Sequence, residues 1–423
     1  MDEGEDFKDR GKILLDMKKD AIVCMNWVPL TTVMAETIDL NGLESAGYRV
    51  VYADLAGYYF TDKAKGYRSS NSLYITDVRN TVVCRTRDDI LSLIEGNADR
   101  AWFFVAYRTY NFHLKDIFIL RAFKRLGVEY FMVDDAPVKR PSDAVSSSRN
   151  LLFYLGKNLL KGLAVFSPRS IFHMLSSWAV LILIKRGIWL KRPAFFFTAG
   201  SVSMKKASLV FPSSSVKAIP AKDMERSLKA MSRVDRGHVS LPQYPYIVYL
   251  DQGIHDSPDA KLLGYSTVDA NIFFKKMNSF FERIESATGM KVIVAASPKC
   301  RYRGDEYGKR GIFYGLTAEL VYRSQMVIAH STTAMNFALI MKKPLVLIFL
   351  KEFSLFVKEA MGCWSSALEK PLLDVDHGID LKRLKGLSEL KEKVCERYIR
   401  DYIMSGVFIP RASRVISETL KGV

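Results

Sequence analysis

The sequence predicts an α/β protein made of two Rossmann-like halves that face a central cleft. Two observations carry that expectation. Short apolar runs alternate with amphipathic helical stretches, and the alternation occurs twice, on either side of a basic, Ser-containing stretch. In the first block, residues 21–28 (AIVCMNWV) and 49–54 (RVVYAD) read as buried strands. Between them LTTVMAETIDLNGLESAG has helical spacing and is closed by Gly47. Residues 102–107 and 128–133 are the next strands, separated by FHLKDIFILRAFKRLG, whose last turn is basic and whose stop is Gly127.

The pattern changes over residues 137–215, where apolar helical segments are expected at 150–164 and 170–190. Lys157, Lys161, Arg169, Lys185, Arg186, Lys191, Arg192, Lys205 and Lys206 make this stretch basic. It reads either as an insertion with one face toward an anionic membrane or acceptor, or as core helices with solvated ends. FFFTA at 195–199 is the expected return strand. The second block has strands at 246–251, 291–296, 326–329 and 344–350, with helices at 267–287, 317–324 and 332–342. The tail from 379 is helical and charged. The expected organisation is a first domain at 1–215 with a basic helical insertion at about 137–195, a second at 216–378, and C-terminal helices at 379–423 packing back across both.

A chain of 423 residues suits two domains, and 49% apolar with 25% charged residues is a globular balance. The net charge of +17 favours anionic partners. Nucleic acid is not the expected one, since no zinc-finger spacing, RNA-recognition signature or long Lys/Arg run is present. A non-catalytic nucleic-acid-binding or assembly protein is the competing reading from charge alone. Cys24, Cys84, Cys300, Cys363 and Cys395 are scattered and odd in number, as free thiols in a reducing cytoplasm would be. The acidic N-terminus does not read as a secretory signal. The most apolar stretch, MLSSWAVLILI, runs eleven residues before Lys185-Arg186. That is too short for a bilayer needing about 20.

The chemistry-bearing residues cluster at strand ends of the second block. Ser331, Thr332 and Thr333, preceded by His330, fall on a strand-to-helix turn, where hydroxyls cap the helix or leave its N–H groups to a phosphate. One strand earlier, Ser297-Pro298 is followed by Lys299, Arg301 and Arg303, which either neutralise a pyrophosphate or form a solvated loop. Glu319, in the first turn of the helix opened by Thr317, either complements the helix dipole or binds ribose hydroxyls. Asp251-Gln252-Gly253 ends the strand at 246–250. Asp251 is a general base or an Asx turn, with Asp259 next in line and His255 able to assist. Asp134-Asp135 and the D-x-D at Asp374 and Asp376 are weaker signals. Walker, nucleophile-elbow and zincin motifs are absent.

Taken in order, YLDQG, AASPKCRY, YGLTAEL and VIAHSTTAMNFA resemble bacterial surface-polysaccharide glycosyltransferases of the GT-B kind. The likeness is to the CMP-sugar-using polysialyltransferases and capsule 3-deoxy-octulosonic acid transferases, and it covers residues 246–350. It implies a GT-B-like fold with the acceptor on the first domain and the donor nucleotide on the second. Asp251 with Gly253 matches the family's acidic motif carrying the base, and Ser331-Thr332 its phosphate motif. Ser297-Pro298 stands where the family has His-Pro, and Gln252 replaces the second acid. The resemblance implies an inverting transferase with no cofactor and no metal. It would move an acidic sugar from a CMP donor onto a glycan or lipid-linked acceptor in capsule or lipopolysaccharide synthesis. A CDP-glycerol-type polyol phosphate transferase is the alternative enzyme. The expected location is cytoplasmic, peripheral at the inner membrane face.

Overall fold

A computed structural model describes residues 19–27, 29–30, 35–36, 39–60, 80–106, 112–134, 168–256, 267–298, 300–377, 381–406 and 411–423. The first half runs β1 (Ala21–Asn26), α1 (Leu40–Ser45), β2 (Arg49–Asp54), α2 (Ala56–Phe60), β3 (Thr81–Val83), α3 (Arg87–Glu95) and β4 (Ala101–Val105). It continues with α4 (Asp116–Arg125), β5 (Tyr130–Asp134), α5 (Pro168–Arg186), β6 (Phe195–Thr198), α6 (Ser201–Val210) and β7 (Val216–Ala218). All pairings in this sheet are parallel, in the order β3-β2-β1-β4-β5-β6-β7. Strands covered on both faces need apolar residues at every position, and β1 and β4 are buried throughout.

After α7 (Lys222–Asp235), the second half runs β8 (Tyr246–Leu250), α8 (Ala270–Thr288), β9 (Lys291–Ala295), β10 (Ile312–Phe313) and α9 (Thr317–Arg323). β11 (Met326–Ala329), α10 (Met335–Ile340), β12 (Leu345–Phe349), α11 (Leu355–Leu368) and β13 (Leu372–Asp374) complete it. This sheet is also parallel, in the order β10-β9-β8-β11-β12-β13. Both sheets therefore have the doubly wound order of a Rossmann fold, with the winding reversing between β1 and β4 and between β8 and β11.

The chain between and after the sheets ties the halves together. Met224 and Ala230 of α7 join the second core beside Val248, Leu320 and Leu339. α12 (Leu381–Ser388) and α13 (Glu392–Tyr398) lead into a π-turn at Ile399–Ile403, and α14 (Ala412–Lys421) ends the chain. Tyr398, Tyr402 and Ile403 pack on the second core, whereas Ala412, Ile416 and Leu420 pack on the first, with Leu40 and Tyr48. Gly200, at the start of α6, has φ +73°, and a Cβ there would lie 2.3 Å from the Asp401 carbonyl oxygen. Only glycine admits that approach of the π-turn to the first sheet.

Three expected elements differ in extent. The helix expected from Thr332 begins at Met335, because Thr332 N–H turns back to His330 O at 2.8 Å and Thr332 Oγ1 accepts from Ala334 N, so residues 330–334 form a turn. Of the helix expected over residues 30–47, residues 35–36 and α1 are helical among the described residues, and α1 is entered through Asp39 at φ 52°. Within the stretch expected as a basic insertion, α5 is the crossover joining the parallel neighbours β5 and β6, with Val180 and Ile184 in the first core. The helix expected at 150–164 lies outside the described residues.

Candidate active site

In a doubly wound sheet, ligands bind beyond the carboxyl ends of the strands where the winding reverses. In the second sheet that point lies between β8 and β11, paired in register Leu250↔Ala329. The next residues are Asp251 and His330, about one strand spacing apart. β9 lies on the other side of β8, so Ser297 falls on the same edge. The strand order thus brings together the three motifs separated in sequence by roughly forty residues each.

Asp251 is buried and its carboxylate is fully used. Oδ1 accepts from Gly253 N at 2.9 Å and Tyr307 Oη at 3.2 Å; Oδ2 accepts from Ser297 N at 3.2 Å and Tyr302 Oη at 2.6 Å. Four donors fill the acceptor sites of an ionised carboxylate. The Gly253 bond is an Asx turn, so Asp251 both ends β8 and ties it to β9. Gly253 has φ +67°, and a Cβ there would lie 2.0 Å from Cys300 Sγ, so the turn requires glycine twice over. His255 packs among aromatic rings, stacked on Phe273 at 5.5 Å and edge-on to Phe274 at 4.7 Å.

His330 is fully buried. Its Nε2 lies 2.9 Å from Tyr249 Oη. The Tyr249 ring packs against Tyr307 with centroids 6.0 Å apart, and Tyr307 in turn donates to Asp251. The His330–Tyr249 pair therefore lies beside the Tyr302–Asp251–Tyr307 cluster in one buried polar layer. His330 Nδ1 has no hydrogen-bond partner among the described residues. Burial lowers the imidazole pKa to about 4, the nearby Asp251 charge opposing this in part. Burial likewise raises the three phenols, so they remain donors.

The His330 shift gives a pH prediction. Its pKa falls from about 6.5 unfolded to about 4 folded, so between these values the unfolded chain binds more protons. The associated stability is fully present above pH 6.5 and is lost as pH falls toward 4. Denaturant unfolding at pH 7 and pH 5 should show His330→Gln losing about 2 kcal/mol less than wild type over that interval. Equal losses would contradict a buried neutral imidazole.

The phosphate-turn candidates divide by environment. Thr332 is buried, and its Oγ1 accepts from Ala334 N at 3.3 Å, so it stabilises its own turn. Ser331 is half-buried and Thr333 exposed. Their hydroxyls are uncommitted among the described residues. Arg301 and Arg303 are exposed on the loop after β9, flanking Tyr302; Ser297 is buried and Pro298 exposed. Lys299 and Asp259 lie outside the described residues. Thr317 is the first residue of α9 and half-buried. Glu319 is buried and its Oε1 meets Arg233 Nη1 of α7 at 2.5 Å. The D-x-D pair lies at the end of β13, tied to neighbouring side chains: Asp374 to Lys351 and His377, Asp376 to Lys276.

Sequence reasoning missed Tyr249, Tyr302 and Tyr307, since a tyrosine in an apolar run carries no visible partner. It also missed a polar node beneath the turn. Asn336 of α10 donates to Asp223 Oδ2 at 2.7 Å and accepts from Tyr398 Oη at 3.0 Å, joining α7, α10 and α13. Burial raises the Asp223 carboxyl, opposed by the Asn336 bond.

No family model and no curated protein sequence matches the chain. Solved structures do. Two variants of the wall teichoic acid polymerase TagF align over 96% of this chain and 89% of theirs, at 12% and 11% identity, with TM-scores of 0.52 and 0.53. A UDP-GlcNAc 2-epimerase from Neisseria meningitidis aligns over 95% of this chain and 100% of its own, at 9% identity and TM-score 0.46. The fold is GT-B. In the GT-B arrangement the carboxyl edges of the two sheets face one cleft. The first sheet brings Asn26, Asp54, Asp134 and Thr198 to that edge, at the ends of β1, β2, β5 and β6, all buried. Asp54 Oδ1 accepts from Ala56 N at 2.9 Å, closing the turn after β2. The opposite wall is the Asp251–Ser297–His330 edge with its basic loop.

Proposed function

We propose that the chain is a transferase that moves an activated group onto a glycan or lipid-linked hydroxyl and releases CMP. One observation carries this reading: Asp251, the cations after β9 and the hydroxyls after β11 lie on adjacent strand ends at the winding reversal of the second sheet. In the leading form the donor is a CMP-activated acidic sugar. The acceptor hydroxyl gives its proton to Asp251, its oxygen attacks the anomeric carbon from the face opposite the phosphate, and the C–O bond to phosphate breaks. CMP leaves with the electron pair, stabilised by Arg301, Arg303, Ser331 and Thr333. The configuration inverts in this single displacement, and the step needs no metal. The first sheet's edge would hold the acceptor and Glu319 would border the nucleoside.

Because all four acceptor sites of Asp251 are filled, the base must shed one donor before it can take a proton. Tyr302 is the candidate: it is only half-buried and rides on the loop bearing Arg301 and Arg303. Phosphate drawing those arginines inward would carry Tyr302 with them.

The second reading is transfer of glycerol phosphate from CDP-glycerol, in which the acceptor oxygen attacks the β-phosphorus and CMP again departs. A further TagF structure, obtained after soaking with CDPG, favours it at 11% identity and TM-score 0.52. Mass spectrometry of acceptor glycans incubated with CMP-activated acidic sugars or CDP-glycerol separates the two by product mass. The leading form expects the sugar increment with release of CMP. A glycerol-phosphate increment would replace it by the second reading, and turnover of UDP-sugars alone would contradict both.

A further inference from the structure

Between Asp143 and Asp223 the sequence contains no Asp or Glu, while twelve Lys and Arg fall in that stretch. Among the described residues of this stretch, Lys185, Arg186 and Arg192 are exposed around the end of α5, a local group of cations that attracts anions. The described part of this stretch also exposes large apolar side chains. On α5, Val180 and Ile184 face the core, whereas Leu175 and Ile182, seven residues apart on the other face, are exposed. The turn that follows is more open still: Ile188 is 67% and Trp189 68% exposed.

That turn is built to hold those two side chains outward. Lys124 Nζ of α4 donates to Gly187 O at 2.7 Å and to Ile188 O. Gly187 N bonds to Leu183 O at 3.1 Å, and the Arg192 guanidinium closes the helix end by donating to Ile184 O at 3.3 Å and to Lys185 O. Leu190 is buried and anchors the far side. These bonds and the buried Leu190 fix the backbone on either side of the exposed Ile188 and Trp189. Around the apolar tip, Lys185, Arg186 and Arg192 are exposed. A tryptophan beside an aliphatic residue, ringed by cations, suits the boundary between lipid headgroups and acyl chains, where the ring is wet on one side and dry on the other.

We propose that the α5 stripe and the Ile188–Trp189 turn form a docking face for an anionic phospholipid bilayer. Trp189 and Ile188 insert below the headgroups while Lys185, Arg186 and Arg192 meet lipid phosphates. The aliphatic tip favours lipid over nucleic acid, whose recognition would use cations and stacking rings without an isoleucine beside them. The face is independent of the transferase reading, since vesicle binding needs no donor or acceptor. It would keep the enzyme beside a lipid-linked acceptor.

The test is sedimentation of the full chain with phosphatidylcholine vesicles, with and without phosphatidylglycerol, together with quenching of tryptophan emission by lipids brominated on the acyl chains. Binding is expected only with phosphatidylglycerol, and brominated chains should quench part of the emission. Ile188→Glu with Trp189→Glu should lower partitioning at least tenfold while leaving the melting temperature nearly unchanged. Trp189→Phe should keep binding but lose the quenched component. Four outcomes would overturn the proposal: equal binding to neutral vesicles, unchanged binding by the double variant, quenching that persists in Trp189→Phe, or a double variant that converts a dimer to a monomer without any vesicle binding in wild type. Loss of binding on charge reversal at Lys185 and Arg186 with none at the apolar pair would mark a general polyanion surface and also overturn it.

Discussion

Asp251→Asn should reduce transfer by a factor on the order of a thousand or more and lower stability by about 2–4 kcal/mol. Both effects follow from one carboxylate. An asparagine can still accept at one oxygen, but it presents an N–H2 to two groups that are themselves donors. At least two of Gly253 N, Ser297 N, Tyr302 Oη and Tyr307 Oη then lose their acceptor in a buried setting. Each orphaned donor costs on the order of 1–3 kcal/mol, partly relieved by local shifts. A fall in activity alone would therefore not identify a base, because partial unfolding gives the same result.

Tyr302→Phe separates the two roles. It removes one of the four donors, at a cost of about 1 kcal/mol, and opens an acceptor site on Asp251 Oδ2. If Asp251 takes the acceptor's proton, this variant should transfer at wild-type rate or faster, while Asp251→Asn is inactive at a temperature where circular dichroism shows it folded. A folded Asp251→Asn retaining more than a tenth of wild-type activity would remove Asp251 from the chemistry and leave it as the tie between β8 and β9.

The buried strands β1, β4, β8, β9, β11 and β12 are continuous apolar runs, and their periodicity names them within a residue or two. Short edge strands escape: β3 and β7 have three residues each and β10 has two, too few to show any period. α3 also went unread: it opens on a capping box between Thr86 and Asp89, bonded in both directions, and buries only Ile90, Leu93 and Ile94. The helix after Ser331 was drawn too long, since spacing cannot tell a helical turn from a turn that Thr332 closes on itself.

The candidate site shows the same division. Asp251, Ser297 and His330 end apolar strands, a position visible in a linear string, and the parallel order then places them side by side. Tyr249, Tyr302 and Tyr307 were invisible for the opposite reason. Their hydroxyls matter only through Asp251 and His330, partners fixed by strand order rather than by spacing along the chain. Arg233, which meets Glu319, comes from a helix joined to the other half, and no local pattern marks it. The stapled Trp189 is likewise a matter of exposure, a property that a tryptophan in an apolar sequence does not declare.

The central claim is that the turn after β11 grips the phosphate of CMP. Ser331 and Thr333 are the residues to change, because Thr332 supports the turn itself. Calorimetric titration of CMP into wild type and into the Ser331→Ala, Thr333→Ala double variant should show binding weakened at least tenfold by the variant, about 1.4 kcal/mol or more, with its melting temperature little changed. Equal affinity in the two proteins, or no CMP binding by wild type, would contradict the account.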